Sequence, residues 1–344
     1  MEISIHDPRR FASRDAAHGG VGPGPTAGRF SLFDVQVNGF AGIDFQDPGL
    51  TCEGLLFAVR ALARHGVLRF FLTPITDEIG ALEAKFRRIE EFRAREPEIG
   101  AAICGYHLEG PWISPLPGFR GAHEASAIKA PERADFDRLQ RAAGNNIRLV
   151  TLAPELPGCV EFLRGLASGG VAVSIGHSDA SERDIGAAID AGARFCTHLG
   201  NGVPEMLPRH ANVVQRLLAR DELTAFFIPD GIHLPPSALK NFFRAKPDGK
   251  AVFTTDCMSA AGAPCGRYRL GRIEVEVGAD RVVRLPGSAQ FAGSALEPER
   301  AVENASRWLG IPQDRARELF SSVVAAHFGI DLPLCTTSHE YKTN

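Results

Sequence analysis

The sequence lacks the features that mark membrane, secreted and nucleic-acid-binding proteins. No stretch reaches the roughly 18 apolar residues that a membrane-spanning helix needs, and the first residues contain no apolar region of the kind that a secretory signal requires. With 38 Lys and Arg against 41 Asp and Glu, the formal charge is -3, and no run of like charge is long enough to hold a phosphate backbone or an anionic membrane. We therefore expect a cytoplasmic protein whose partners are neither nucleic acid nor a membrane.

The sequence is also short of paired cysteines. Its seven cysteines are an odd number and include no CxxC pair, which argues against a disulfide framework and against a cysteine-based zinc site. Most of them are better interpreted as small buried hydrophobic residues in a reducing compartment.

What the sequence does contain is a repeated alternation of strand-like and helix-like segments. From about Ser31 onward, short apolar runs rich in β-forming residues alternate with amphipathic segments of helical period. Eight runs are predicted to be strands, at residues 33–40, 68–75, 101–110, 147–155, 171–179, 193–201, 224–233 and 251–258. Eight such strands joined by helices favour a closed (β/α)₈ TIM-type barrel over an open doubly wound sheet, which usually has fewer strands.

Three other segments depart from this alternation. Residues 1–30 are rich in Gly and Pro and are predicted to be a poorly ordered N-terminal arm. Residues 267–288 alternate polar and apolar side chains around a Gly-Ala-Asp turn, which predicts a small β-hairpin inserted after strand eight. The predicted domain limits are therefore 31–330 for the barrel, with 331–344 as a C-terminal tail.

Polar residues follow the predicted strands at their C-terminal ends. Because the active site of a (β/α)₈ barrel is built from these ends, we expect the side chains to meet at one mouth. Six of the eight strand ends contribute, whereas strands two and four offer nothing obviously chemical, and core packing alone would not produce such a pattern. The residues are Gln36, Asn38, Glu109, His177, His198, Asp230, His233 and Asp256.

Glu109, His177 and His198 supply a carboxylate and two imidazoles. This is the ligand set of a catalytic divalent metal that keeps an open position for water. A single buried histidine is more often a hydrogen-bonded core residue than a ligand. At matching strand ends, however, the three together favour a metal site.

Four further residues near these strand ends are candidates for the site, and two of them also have an ordinary structural interpretation. Asp256 is placed to exchange a proton with an activated water and a leaving group, but Asp is also a common helix N-cap. His107 lies two residues before Glu109 on one strand face and is expected to support the site from behind. His123 ends a long loop typical of a substrate cover. Arg209 would suit a carboxylate or phosphate, or would equally be an ordinary surface residue.

Taken together, these motifs resemble the N-acetylglucosamine-6-phosphate deacetylases of the amidohydrolase superfamily. The matching segments occur in the family's order and cover about residues 31 to 325. They are DVQVNGFAGIDF (34–45), HLEGPWISPLPGFRGAH (107–123), SIGHSDA (174–180), THLGNG (197–202), PDGIH (229–233), TTDCMSAAG (254–262) and FAGSAL (291–296).

The resemblance implies a reaction and a set of roles. The reaction is metal-dependent hydrolysis of the acetamide of N-acetylglucosamine 6-phosphate, with Asp256 as acid and base and His123 on the acetamide carbonyl. The metal, zinc first and iron second, is implied to bind Glu109, His177 and His198. The residues implied to surround the substrate are Ala122, His123, Asn201, Gly202, Arg209, His233, Phe291, Ala292 and Gly293. In that family the Arg and the DGxH His can reach the neighbouring subunit's substrate, which implies a homodimer.

Some positions differ from the family pattern. Many amidohydrolases carry HxH after strand one and bind two metals, whereas Gln36-Val37-Asn38 here predicts one divalent metal ion per chain. Gly200 and Gly202 stand where larger residues are usual. The family's small β-sandwich is expected to be reduced or missing, and we expect dimerisation or the inserted hairpin to cover the apolar barrel surface that its loss would expose.

Two alternatives remain open from the sequence. One is a deacetylase or other amidohydrolase acting on a related amino-sugar phosphate such as N-acetylgalactosamine 6-phosphate, because the choice of epimer rests on a single hydrogen bond. The other is a catalytically inactive sugar-phosphate-binding protein, which the altered THLGNG loop and the expected loss of the sandwich would suit.

Overall fold

The computed structural model describes residues 31–287 and 291–334. Its strands are β1 (Leu32–Val37), β2 (Gly39–Phe40), β3 (Ile43–Asp44), β4 (Val67–Leu72), β5 (Ile103–Glu109), β6 (Ile147–Leu152), β7 (Ala172–Ile175), β8 (Phe195–Cys196), β9 (Thr224–Phe227), β10 (Ala251–Phe253), β11 (Gly266–Leu270), β12 (Ile273–Val277) and β13 (Val283–Arg284). Its α-helices are α1 (Cys52–Arg64), α2 (Ile79–Arg95), α3 (Pro97–Ala102), α4 (Arg133–Ala142), α5 (Cys159–Ser168), α6 (Glu182–Ala191), α7 (Val213–Leu218), α8 (Pro236–Ala245), α9 (Pro298–Leu309), α10 (Gln313–Glu318) and α11 (Ser322–Phe328).

Eight of these strands form one parallel sheet in the order β1-β4-β5-β6-β7-β8-β9-β10. Each of the eight matches a predicted strand, and helices follow them along the chain. The strand residues are nearly all buried because helices cover the outside of the sheet while side chains fill the inside. The predicted (β/α)₈ TIM-type barrel is therefore confirmed.

The barrel closes between β10 and β1 without a regular ladder. Near the C-terminal ends of these strands, Val37 forms an isolated parallel bridge with Cys257. Near the opposite ends, the N–H groups of Phe33 and Phe253 donate to the carbonyls of residues 320 and 319. The turn between α10 and α11 thus fills the remaining gap.

The carboxylate of Asp34 lies inside this closure. It accepts hydrogen bonds of 2.5 Å from the hydroxyls of both Thr254 and Thr255, and further bonds from the backbone N–H groups of Thr255 and Gln36. Burial raises the pKa of Asp34 to about 6, and these hydrogen bonds only partly oppose the increase. One buried carboxylate therefore connects the first barrel strand to the residues that follow the eighth, directly before Asp256 in the sequence.

Aromatic side chains fill the barrel near the start of the strands. Phe328 of α11 packs at 5.0 Å from Phe71 of β4 and at 5.2 Å from Phe195 of β8, measured between ring centroids. Because β4 and β8 lie on opposite sides of the barrel, α11 packs across this end. The space for a ligand is therefore at the opposite end of the barrel, where the strands have their C-terminal ends.

The segment after β10 folds over that open end. β11 and β12 pair as the predicted antiparallel hairpin, but their turn is at Gly271 and Arg272, and the predicted Gly-Ala-Asp turn instead joins β12 to β13. The insertion is therefore a three-stranded sheet. Its inner face packs apolar side chains against Met258 and Ala122, beside the barrel mouth.

Several expectations fall outside the described residues. The N-terminal arm (1–30), most of the C-terminal tail and, with them, the state of a β-sandwich lie there, so these stay predictions. Within the described residues, no helix is both long and apolar enough to cross a membrane. The six cysteines described are free, and four of them are buried.

Candidate active site

The C-terminal ends of the barrel strands surround an open cavity of about 990 Å³. Six of the eight side chains predicted to converge line it: Asn38, Glu109, His177, His198, His233 and Asp256. The other two, Gln36 and Asp230, are not among the lining residues and instead contact Glu109 and His233. The inserted sheet and the loops after β5 and β8 form the remaining walls. The convergence follows from parallel strands, whose ends meet at one edge of the barrel.

Glu109, His177 and His198 bring three donor atoms to one point. Glu109 Oε1 lies 3.0 Å from His198 Nε2 and 3.3 Å from His177 Nε2, and the two nitrogens are 3.1 Å apart. In a tetrahedral centre with bonds of about 2.0–2.1 Å, ligand atoms lie roughly 3.3 Å apart. The buried group therefore fits a metal ion without rearrangement.

A backbone carbonyl fixes the orientation of His177. Its Nδ1 lies 2.9 Å from the Phe119 oxygen, and since a carbonyl can only accept, Nδ1 carries the proton and Nε2 presents a lone pair. Gly202 packs on the same ring: its φ is 62°, and a Cβ there would lie 2.8 Å from His177 Nδ1. Gly202, which differs from the family pattern, thus allows the loop after β8 to pack directly against the His177 ring.

The backbone is strained at three of the predicted site residues. His177, His198 and Asp256 have φ of 51°, 29° and 51°, in the left-handed region that residues other than glycine rarely adopt. Such conformations cost of order 1–3 kcal/mol each and persist where the surrounding structure enforces them. They direct the side chains into the cavity immediately after the strands end.

Asp256 is an acid in an apolar, negatively charged setting. Burial and the charge of Glu109 raise the pKa of Asp256 to about 8, while His198 and a 2.8 Å hydrogen bond from Asn38 Nδ2 act to lower it. A cation beside Glu109 would act in the same direction as His198. No helix among the described residues begins at Asp256, so its alternative interpretation as an N-cap is excluded.

Glu109 is the charged centre of the group. Burial raises the pKa of Glu109, but the adjacent imidazoles of His177 and His198 outweigh it and hold that pKa well below its usual range. Gln36 Nε2 donates to Glu109 Oε1 at 3.0 Å. The carboxylate is therefore ionised, oriented and ready to bind a cation.

His107 lies behind the ligands, as expected from its strand position. Its ring nitrogens are 3.0 Å from the Val35 oxygen and 2.7 Å from Thr151 Oγ1. Burial lowers the pKa of His107 to about 4, so the ring is a neutral core element. Thr151 lies on β6, the fourth barrel strand, for which no contribution to the site had been predicted.

His123 faces the metal group from the loop after β5. Its Nδ1 lies 2.8 Å from Thr76 Oγ1, its Nε2 lies 3.9 Å from Glu109 Oε2, and its ring centroid is 4.4 Å from that of His177. Burial and His177 lower the pKa of His123 to about 3. Thr76 follows the second barrel strand, which also had no predicted role.

Most of the other predicted substrate residues line the cavity: Ala122, Asn201, Gly202, His233, Phe291 and Gly293. The His233 ring packs 5.4 Å from Phe291, and its Nδ1 lies 2.6 Å from Asp230 Oδ2. Ala292 instead packs beneath, in the apolar core of the inserted sheet. Arg209 is exposed on the loop after β8 and is not among the lining residues.

Arg284 had no predicted role, yet it is the one Lys or Arg among the described lining residues. It stands on β13, bridged to Phe291, and its guanidinium pairs with Asp280 at 2.8 Å. No local motif marks it, because its place at the mouth depends on how the inserted sheet folds back.

Comparisons with known proteins agree with this site. No family model matches the chain. The chain is 34% identical over 344 residues to the N-acetylglucosamine-6-phosphate deacetylase of Bos taurus, covering 96% of this chain and 80% of the relative. It is 33% identical over 301 residues to the N-acetylgalactosamine-6-phosphate deacetylase of Escherichia coli O157:H7, covering 88% and 78%.

A solved structure has a similar fold. A mutant N-acetyl-D-glucosamine-6-phosphate deacetylase from Mycobacterium smegmatis, in complex with N-acetyl-D-glucosamine-6-phosphate, aligns with a TM-score of 0.80 at 28% identity. The alignment covers 92% of this chain and 84% of that one.

Proposed function

Because the chain belongs to the N-acetylglucosamine-6-phosphate deacetylase family of the amidohydrolase superfamily, we propose that it hydrolyses the acetamide of N-acetylglucosamine 6-phosphate, releasing glucosamine 6-phosphate and acetate. The observation that carries the proposal is the convergence of Glu109, His177 and His198 beside Asp256 in one cavity. Sugar phosphates are charged and retained within cells, so this substrate suits a cytoplasmic enzyme.

Glu109, His177 and His198 hold one divalent metal ion, with zinc the first choice and iron the second. Such an ion is a Lewis acid that makes water acidic enough to attack at neutral pH and polarises an amide carbonyl. Gln36 stands where a second ion would need a stronger ligand, and its amide already donates to Glu109. We therefore expect one ion per chain.

Asp256 accepts a proton from the attacking water and delivers it to the nitrogen as the C–N bond breaks. Asn38 engages Oδ1 of Asp256, which leaves Oδ2 to exchange the proton. His123 donates from Nε2 to the amide oxygen, where negative charge develops. The buried position of all three side chains keeps competing water away from the reaction.

The sugar phosphate lies among the outer lining residues, Ala122, Asn201, Gly202, His233, Phe291 and Gly293, with Ala292 supporting them from beneath. Arg284 is the cation that a single chain presents to the phosphate. Arg209 is exposed and does not line its own cavity, so it serves the neighbouring subunit's substrate in a homodimer.

A second candidate substrate is N-acetylgalactosamine 6-phosphate. The observation that favours it is the 33% identity to a deacetylase of that name in Escherichia coli O157:H7, nearly equal to the identity to the Bos taurus protein. The two sugars differ at one hydroxyl group, and the same metal group and Asp256 would act on either. The inactive-protein alternative loses its main support, because Gly202 in the altered THLGNG loop packs directly on His177.

Acetate release and elemental analysis together test the proposal. Wild type is expected to hold about one metal per chain and to turn over one of the two 6-phosphates, with N-acetylglucosamine itself reacting far more slowly. Asp256→Asn should keep the metal and lose at least roughly a thousandfold in kcat. Protein that binds no metal and releases no acetate after incubation with zinc or iron would point to a binding protein instead.

A further inference from the structure

The hydroxyl of Thr76 is buried between His123 and a glycine that leaves room for it. Thr76 lies just after β4, and its Oγ1 is 2.8 Å from His123 Nδ1. On the other side stands Gly110, directly after Glu109, with φ of 77°. A Cβ at Gly110 would lie 2.1 Å from Thr76 Oγ1, so a side chain there would displace the hydroxyl.

The hydroxyl has a single proton and two nearby acceptors. Besides His123 Nδ1 at 2.8 Å, the Glu109 carbonyl oxygen lies 3.3 Å from Thr76 Oγ1. The usual range for O–H···O hydrogen bonds is about 2.5–3.0 Å, so the longer contact is weak. A lone pair on Nε2 of His123 would face the Glu109 carboxylate, whose Oε2 lies 3.9 Å away, so the ring proton is favoured on Nε2. Nδ1 is then the acceptor, and Thr76 donates its proton to it.

A neutral imidazole has one N–H and one lone pair, and its neighbour decides which nitrogen has which. When Thr76 donates to Nδ1, the proton of His123 is on Nε2, the nitrogen that faces Glu109 and the cavity. His233, in the same cavity, shows the opposite case, since Asp230 Oδ2 can only accept and so places the proton on Nδ1. The two histidines thus have different orienting partners.

We propose that Thr76 is a positioning residue that selects the Nε2–H tautomer of His123 and so makes this ring a hydrogen-bond donor to the substrate's carbonyl oxygen. The inference rests on the proposed function for the identity of the acceptor, while the tautomer itself depends only on the contacts that Thr76 and Glu109 make with His123. Without the hydroxyl, the ring is free to exchange tautomers or to rotate, and a lone pair at Nε2 would repel a carbonyl oxygen.

Two variants separate the hydroxyl from the shape of the side chain. Thr76→Val keeps the branched shape and removes the O–H group, whereas Thr76→Ser keeps the O–H group. In the metal-loaded enzyme, Thr76→Val is expected to lower kcat for N-acetylglucosamine 6-phosphate by about tenfold or more with little change in KM. Thr76→Ser should stay within about threefold of wild type.

Long-range proton–nitrogen NMR of histidine-labelled protein reads the tautomer directly, and a His123→Asn sample assigns the signals. Wild type and Thr76→Ser should show His123 with Nε2 protonated, and Thr76→Val a mixture. An Nδ1–H tautomer in wild type, or a Thr76→Val enzyme with unchanged kcat and tautomer, would overturn the proposal. If the Nε2–H tautomer is present but wild type releases no acetate, the proposed function fails while the role of Thr76 stands.

Discussion

The amide nitrogen of Asn38 lies 2.8 Å from Oδ1 of Asp256, so the end of the first barrel strand holds the acid that follows the eighth. Two residues earlier on the same strand, Gln36 makes the equivalent contact with Glu109. Both amides stand where related enzymes with two metals carry histidines. Here they orient one carboxylate each.

These contacts predict different effects for two neighbouring variants. Asn38→Ala removes a hydrogen bond that lowers the pKa of Asp256, so kcat should fall about tenfold and the acidic limb of its pH profile should move to higher pH. Gln36→Ala should instead weaken metal retention on dilution, with the limb unmoved. Loss of metal in both variants with no shift of the limb would show that Asn38 does not act through Asp256.

Metal removal should lower thermal stability as well as activity. Three donor atoms within 3.3 Å of one another are favourable only around a cation. Adding zinc to chelated protein at a thousand times its Kd should add about 4 kcal/mol of stability, seen as a higher Tm. His198→Asn should lose most of this shift and His233→Asn, in the same cavity, should keep it. An equal shift in both variants would place the ion elsewhere.

Arg284 is expected to recognise the phosphate from within its own chain. Arg284→Gln removes a charge-assisted hydrogen bond of about 1.5–3 kcal/mol, so KM for the 6-phosphate should rise by roughly tenfold or more with kcat little changed. The slow reaction of the sugar without phosphate should be unaffected. Arg267→Gln, on the same inserted sheet but outside the lining residues of the main cavity, is the matched control. A rise in KM for both sugars would indicate a structural effect.

Arg209 is expected to act across a dimer interface, and subunit mixing tests this. Arg209→Gln has an intact Asp256, and Asp256→Asn has an intact Arg209. If Arg209 serves the neighbouring site, a mixed dimer has one site in which both residues are intact. Unfolding and refolding equal amounts of the two variants together makes about half of the dimers mixed, so up to about a quarter of all sites should become active. Mixtures no more active than the sum of the separate variants, or a monomer in sedimentation, would contradict the assignment.

Asp34 should make stability fall as the pH rises. Its pKa is about 6 in the folded protein against 3.8 for an unperturbed Asp carboxyl. The folded state therefore binds more protons between pH 4 and pH 6, and the free energy of unfolding decreases by up to about 3 kcal/mol across that window. Asp34→Asn has no such group. Urea unfolding at pH 4, 5, 6 and 7 should therefore show the stability of wild type relative to the variant declining toward pH 6. A difference independent of pH would show that Asp34 stays ionised throughout.

The pattern of residues alone was enough to predict the barrel and most of the side chains that meet in its cavity. Eight alternating apolar runs predict parallel strands, and parallel strands have their C-terminal ends at one edge, so Glu109, His177, His198 and Asp256 could be placed together without knowing any distance. The insertion after strand eight was also located, because alternation of period two is visible locally.

The contacts that those residues make could not be predicted from local patterns. Thr76 looked like a loop threonine, and its contact with His123 depends on the path of a loop that begins more than thirty residues later. Arg284 reaches the cavity because a third strand turns the inserted sheet back over the mouth, whereas Arg209, which the family resemblance implies to be a substrate residue, is exposed and does not line the cavity. Local patterns set elements and their ends, but hydrogen-bond partners and tautomers are set by contacts between segments distant in the chain.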